Sequence, residues 1–496
     1  MVRKAFKAFV LAACAAFAGC NSGAAGTGAP VPAVVAANGA ISQPTSSTRV
    51  IQDFAVMVPG AATTCPSGML PLSASRVPAG NTRSTAGVAA LPGGIAALPG
   101  GIAALPGGIG ALPGLASVCS GKTKKGAHVT ALLGGKHAGN QVCPGGGPGA
   151  LNCGALKRSD IAPLPVVFPD EGAIPGIHPD DLIEAYNLPE TGGSGQTVGI
   201  IDAYDNPNAE TDLAVYRQEF GLPPCTTANG CFREVAGQNG KIPVANASWA
   251  MEISLDLDMV SAVCPNCKIV LVEAKSDQMQ DLSSAVDAAV AAGATVISNS
   301  YYAAESSLKG DDMKQAAPHY SKAGVPMTVS SGDDGYGATF PASLPNVIAV
   351  GGTTLNRTAA DRGWYETAWK GSGAGCSASS TKPSWQHDGG CANRTVSDVA
   401  VVGDPDTGAA VYNTYGGGGW SVVGGTSMGA PIVASMIALA GDASTFSGLK
   451  LYANAAHMFP ISEGSDGLCN GSYLCQAIGG YSGPTGLGTP NGIGAF

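Results

Sequence analysis

From residue 196 onward the chain alternates short apolar runs with stretches of helical spacing, and this alternation limits the available folds more than any other feature. "QTVGIIDAYD" (196–205), "KIVLVEA" (268–274), "ATVISNS" (294–300), "VPMTVSSG" (325–332) and "NVIAVGG" (346–352) have the near-continuous apolarity of strands covered on both faces. Between and around them lie helix-like segments near 209–220, 247–262 and 279–292. Such a succession predicts an α/β domain with a doubly wound, mostly parallel central sheet and helices on both faces, its chemistry carried by loops at the carboxyl ends of the strands. A short helix expected in "IHPDDLIEAYNLP" (177–189) opens that domain, which is predicted to cover residues 177–496.

Upstream the character differs. Only 12% of the chain is charged while Gly (72) and Pro (34) are abundant, so part of it cannot bury enough apolar surface to fold. Residues 21–176 are expected to be that part: a disordered Ala/Gly/Pro-rich tether or degenerate pro-region carrying "AALPGGI" at 89–95, 96–102 and 103–109. Pro and Gly-Gly in every unit exclude a coiled coil despite the seven-residue period. At the N-terminus, Arg3, Lys4 and Lys7 precede "AFVLAACAAFA", an apolar run with the form of an export signal and too short to span a bilayer. The run ends in "FAGC", similar to a bacterial lipobox, which predicts a lipoprotein-like signal over residues 1–20 with Cys20 acylated and left as the mature N-terminus. Phe17 replaces the usual Leu, so cleavage after Ala18 to a secreted product is the other expectation.

Fourteen cysteines suit an oxidising compartment. Cys225/Cys231, Cys264/Cys267, Cys376/Cys391 and Cys469/Cys475 are near neighbours and are predicted to form short-loop disulfides. "CPNC" (264–267) has no second ligand pair to complete a zinc site. A net charge of -9, with no basic cluster beyond the first residues, argues against nucleic acid as a partner.

In "GGTSMGAPIVASMIALAG" (424–441), Ser427 stands at the start of an apolar helix, where free backbone N–H groups can support a developing anion. Taken alone it could be a capping serine on a core helix. A nucleophilic serine needs a base, and only His319 and His387 lie between Asp202 and Ser427, neither followed by Gly as in the subtilisin "HGT" motif. The better candidates are Glu252 and Asp256 in "SWAMEISLDLDMVSAVCP", four apart on one face of an otherwise apolar helix.

Together "MEISLD", "SSGDDG" and "GGTSMGAP", in that order, resemble the serine-carboxyl peptidases of the sedolisin family, a subtilisin-like fold. The likeness extends through "FPASLPNVIAVGGTTL" to the terminal "GPTGLGTPNG". It implies an acid-active endopeptidase on protein and peptide substrates, with Ser427 as nucleophile, Glu252 as general base and acid, Asp256 behind it and Asp333 at the oxyanion. Asp202, after the first strand, is expected to support the network. Asp334 replaces the family's usual Ser and is a second charge beside Asp333. The family's calcium site depends on two aspartates whose positions here hold Pro460 and Ser482, with Glu463 and Asp466 out of register, so no tight calcium site is expected. No cofactor is expected in the chemistry. Members commonly carry a folded pro-segment that blocks the cleft and is self-removed in acid, a pattern not evident in residues 21–176. The alternatives are a neutral subtilisin-type protease using His319 or His387, and a catalytically silent, lipid-anchored binding protein that keeps the fold.

Overall fold

A computed structural model of the chain describes residues 139–143, 145–161 and 174–496. Upstream it describes only short strands, among them Ala89–Leu91, Ile95–Leu98 and Ile102–Ala104 in the repeats, which pair antiparallel. The export signal and Cys20 lie outside the described residues.

Eight strands form the central sheet: β1 (Thr197–Ala203), β2 (Phe232–Ala236), β3 (Lys268–Ala274), β4 (Val296–Asn299), β5 (Met327–Ser330), β6 (Ile348–Arg357), β7 (Trp364–Ala368) and β8 (Val399–Val402). Their order is β2-β3-β1-β4-β5-β6, with β8 parallel to β6 and β7 antiparallel to the end of β6. Every other pairing in the sheet is parallel, as the buried apolar runs require. Helices α1 (Ala209–Glu219), α2 (Ala247–Val263) and α3 (Met279–Ala291) carry crossovers between its strands, and α4 (Thr426–Leu439) follows the last of them.

Strand β1 shows how the two faces differ. Gly199 packs against Ala289 of α3, whereas Asp202, three residues on and so on the opposite face, lies with Glu252 and Asp256 of α2. Helix α2 opens on Asn246, whose side chain accepts from the N–H groups of Ser248 (3.0 Å) and Trp249 (3.2 Å). From Trp249 to Val263 every residue is buried, so this helix has no solvated face to receive its acids. Helix α4 is likewise buried throughout and packs on α2.

Residues 139–161, upstream of the expected boundary at 177, are built into the same body. Asn152 and Cys153 pair antiparallel with Tyr302 and Tyr301, and Leu156 and Lys157 with Gly424 and Val423. The four cysteine pairs expected from spacing are disulfides, which makes "CPNC" a closed disulfide loop. A fifth, Cys143–Cys153, was not singled out by spacing.

Candidate active site

The site lies where α2 and α4 meet beyond the carboxyl ends of β1, β4 and β5. Gly425, at φ +104°, turns the chain from a strand into α4 and sets Ser427 in the helix's first turn. Pro431 has no N–H, so the Ser427 carbonyl loses its ordinary helical partner. The Ser300 hydroxyl takes that place, donating to the Ser427 carbonyl at 3.3 Å. Ser300 also donates to Asp256 Oδ2 (2.7 Å), and its carbonyl accepts from Ser427 Oγ (3.0 Å). Thus Ser300, at the end of β4, links the serine to the acid helix. Sequence reasoning missed it; its place at the carboxyl end of a strand was the available signal.

Glu252 and Asp256 face Asp202, and carboxylate oxygens of all three lie within 4.8 Å of one another. All three residues are fully buried. Burial first, then its neighbours Asp256 and Asp202, drive the Glu252 pKa well above the carboxylate range. Neither Glu252 oxygen has a well-formed hydrogen bond, because Ser427 is turned to Ser300, although the serine hydroxyl lies near enough to temper that rise. Asp256 is raised by burial and by Asp202, and lowered by Ser300. Asp202 accepts no hydrogen bond and burial pushes it up to about 8. Such a cluster shares its protons as a unit and favours the neutral forms.

Asp333 approaches from the loop after β5. Its Oδ1 accepts from the Thr426 N–H (2.7 Å) and hydroxyl (2.8 Å), which orients the carboxyl. The residue is partly exposed, yet Oδ2 is buried and unpartnered. Burial raises Asp333 to about 7 against the lowering effect of Thr426, with a smaller upward push from Asp334. A protonated Oδ2 is therefore a donor beside the Ser427 backbone N–H. That N–H already holds a carbonyl: Gly154 O accepts from it at 3.2 Å.

The histidines are elsewhere engaged. His319 sits in a 3₁₀ turn (Ala317–Tyr320) with Nδ1 2.8 Å from Asp287, and His387 is an exposed loop residue. In the C-terminal loop the positions of the family's calcium aspartates hold Pro460 and Ser482. Pro460 offers no carboxylate, and the Ser482 hydroxyl shares a 2.7 Å hydrogen bond with Thr485. Glu463 is exposed, which leaves Asp466 as the single buried acid there, raised by burial to about 8.

A subtilase family model matches residues 234–447. Kumamolisin from Bacillus sp. (strain MN-32) is 30% identical over 359 residues, 64% of this chain and 62% of that protein. Sedolisin from Pseudomonas sp. (strain 101) is 26% identical over 358 residues, 64% of this chain and 60% of that one. A solved Pseudomonas sedolisin, described as a serine-carboxyl proteinase complexed with two molecules of pseudo-iodotyrostatin, is 25% identical with a TM-score of 0.56, over 64% of this chain and 96% of that one. Over these stretches the chain is similar to the serine-carboxyl peptidases of the sedolisin family. It spans about three-fifths of the length of the curated sedolisin relatives it matches. The subtilisin-like fold expected from "MEISLD", "SSGDDG" and "GGTSMGAP" is the fold observed, and those three strings meet at one place.

Proposed function

We propose that this chain is an exported, acid-active serine-carboxyl endopeptidase that hydrolyses peptide bonds in proteins through an acyl-enzyme on Ser427. One observation carries the reading: Ser427, the buried acids Glu252 and Asp256, and the half-ligated Asp333 converge around a backbone N–H that already binds a peptide carbonyl.

In this reading a substrate carbonyl takes the Ser427 N–H and the protonated Asp333 Oδ2. Ser427 Oγ turns from the Ser300 carbonyl, attacks the carbonyl carbon and passes its proton to Glu252. Asp256, held by Ser300, supports Glu252, and Asp202 extends the buried acid network. Glu252 then returns the proton to the leaving amine, and water repeats the sequence on the acyl group. Asp333 must hold its proton, which favours acid, while Glu252 must be ionised to accept one, which burial and its neighbours oppose, so activity depends on the fraction of the coupled acids that has lost a proton. The chemistry needs no cofactor. Export rests on the basic residues and apolar run at the N-terminus, and attachment to a membrane on Cys20.

The test is hydrolysis of an unfolded protein from about pH 3 to about pH 8, with and without a calcium chelator. Wild type is expected to be active in acid and indifferent to chelation, and Ser427→Ala and Glu252→Gln inactive. Neutral activity that survives Glu252→Gln would return the base to a histidine. Failure of Ser427 to react with an acylating or peptide-aldehyde probe would point to a silent binding protein.

A further inference from the structure

Beside the nucleophile, two walls bound the space that a substrate side chain would enter. One is the extended chain running from Ser300 into the short strand Tyr301–Ala304, and the other is the turn from Ser331 to Asp333 after β5. Residues 152–154 show how a peptide lies along the first wall. Asn152 and Cys153 pair antiparallel with Tyr302 and Tyr301, the Gly154 N–H donates to the Ser300 carbonyl (3.4 Å), and the Gly154 carbonyl accepts from the Ser427 N–H (3.2 Å). Gly154 therefore stands where the mechanism above puts the residue that supplies the scissile carbonyl. Opposite residues of an antiparallel pair project to one face, and every second residue returns to it, so a side chain at 154 would share the face of Asn152 and Tyr302. A Cβ there would stand 3.4 Å from Asp333 Oδ2, against the second wall.

The Tyr302 side chain already fills the space between these walls. The residue is only 1% exposed, and its ring packs on Gly332: a Cβ on Gly332 would stand 3.0 Å from Tyr302 Cδ2 and 2.9 Å from Thr339 Cγ2. The far wall is pinned behind it. The Gly332 N–H donates to the Thr426 hydroxyl (3.0 Å), the Gly332 carbonyl accepts from the Gly373 N–H (2.8 Å), and the Thr339 hydroxyl donates to the Ser331 carbonyl (2.7 Å). The end of the ring is held too, since its hydroxyl reaches the Asp333 backbone and the Asp334 carboxylate. Burial first, then the charges of Asp333 and Asp334, raise the phenol pKa, so the ring stays neutral. One carbon on residue 154 fits this geometry, because its 2.9 Å contact is with Ser427 Oγ, which can rotate about χ1.

We propose that Tyr302 sets the specificity of this site by closing the pocket beside the scissile carbonyl, so that the bonds cut are those following glycine and, next, alanine. The inference rests on the peptidase reading above and narrows its substrates to protein segments with small residues at the cut. Discrimination works by exclusion. A longer side chain has to push the ring off Gly332 and disturb Asp333, or else lift its own carbonyl away from the Ser427 N–H. Either way the loss falls on the transition state and is read in kcat/KM. Glycine is still gripped, because the bonds to Ser300 and Tyr302 come from main chain and need no side chain. Trimming Tyr302 to alanine removes a phenol ring, and the space left matches the ring of a substrate phenylalanine.

The test uses the full chain at acid pH on quenched fluorescent peptides that differ only in the residue before the cut: Gly, Ala, Leu or Phe. Wild type should favour Gly over Phe in kcat/KM by at least about a hundredfold, the scale on which a filled pocket rejects a large group. Tyr302→Ala should lower that ratio at least about tenfold, mainly by a gain on Phe, whereas Tyr302→Phe, which keeps the ring, should leave the ratio high. Each ratio is taken within one preparation, so it does not depend on how much of a variant folds. Should Tyr302→Ala yield no active protein, the bonds that wild type cuts in an unfolded protein, mapped by mass spectrometry, decide the matter: cuts after Gly and Ala support the proposal. Cuts after Leu and Phe as frequent as those after Gly, or a Tyr302→Ala ratio equal to wild type, overturn it and leave the peptidase standing. Hydrolysis of no peptide and no protein by wild type overturns both.

Discussion

Asp202→Asn is expected to stabilise the domain at neutral pH and to do nothing at acid pH. Asp202 is fully buried, accepts no hydrogen bond and is pushed from an ordinary 3.8 to about 8 by burial. A carboxyl raised in this way keeps a proton in the folded chain that the unfolded chain has lost. Between about pH 4 and about pH 8 the folded state therefore binds more protons, and stability falls as pH rises. At ~1.4 kcal/mol for each tenfold change in proton affinity, the shift is worth at most ~6 kcal/mol at pH 8 and nothing below pH ~4. Asn resembles the neutral acid, so the variant should recover part of that cost only where the unfolded wild type has begun to ionise. Glu252 and Asp256 are both raised by Asp202, so their share of the cost falls as well. The measurement is urea unfolding at about pH 4, 6 and 8 in a Ser427→Ala background, which prevents self-digestion. A gain of equal size at all three pH values would refute the reasoning, because the effect would then be packing rather than proton linkage.

Asp333→Asn keeps an acceptor for Thr426 and supplies a donor that needs no proton. Since Asp333 titrates at about 7, the ratio of variant to wild-type kcat/KM should be flat in acid and rise about tenfold per pH unit above that value. A ratio flat from about pH 5 to about pH 9 would remove Asp333 from the oxyanion role. Gly425→Ala would place a methyl 1.9 Å from the Gly154 oxygen, the position that the proposed mechanism gives to a substrate carbonyl. Activity should fall about 10²–10³-fold, as for loss of an oxyanion donor, with circular dichroism unchanged. Arg394 and Asp398 form a fully buried ion pair at 2.5 Å, so Arg394→Met should cost about 3–5 kcal/mol of unfolding free energy by leaving the aspartate unpaired.

The parallel sheet was legible because strands such as β1 are covered on both faces and must be apolar on successive residues. The acids of α2 were legible for the opposite reason: carboxylates at positions 252 and 256 conflict with an apolar helix, and such a conflict calls for a local explanation. The four short-loop disulfides followed from proximity in sequence. Cys143–Cys153 did not, because its cysteines lie in a Gly-rich stretch whose burial depends on a cleft formed by distant residues. Ser300 was hidden for a related reason: a serine at a strand end has no chemical signature until Pro431 frees a carbonyl beside it.

By itself, then, the sequence determined the layered α/β domain, the serine at the start of α4 and the acid pair on α2, all properties of local pattern and spacing. Tertiary structure alone decided which way Ser427 points, how far three buried carboxyls raise one another, and what occupies the Ser427 N–H. Each depends on through-space distances between segments far apart in the chain: residues 154 and 427 meet only because the sheet, its crossovers and a hairpin bring them together.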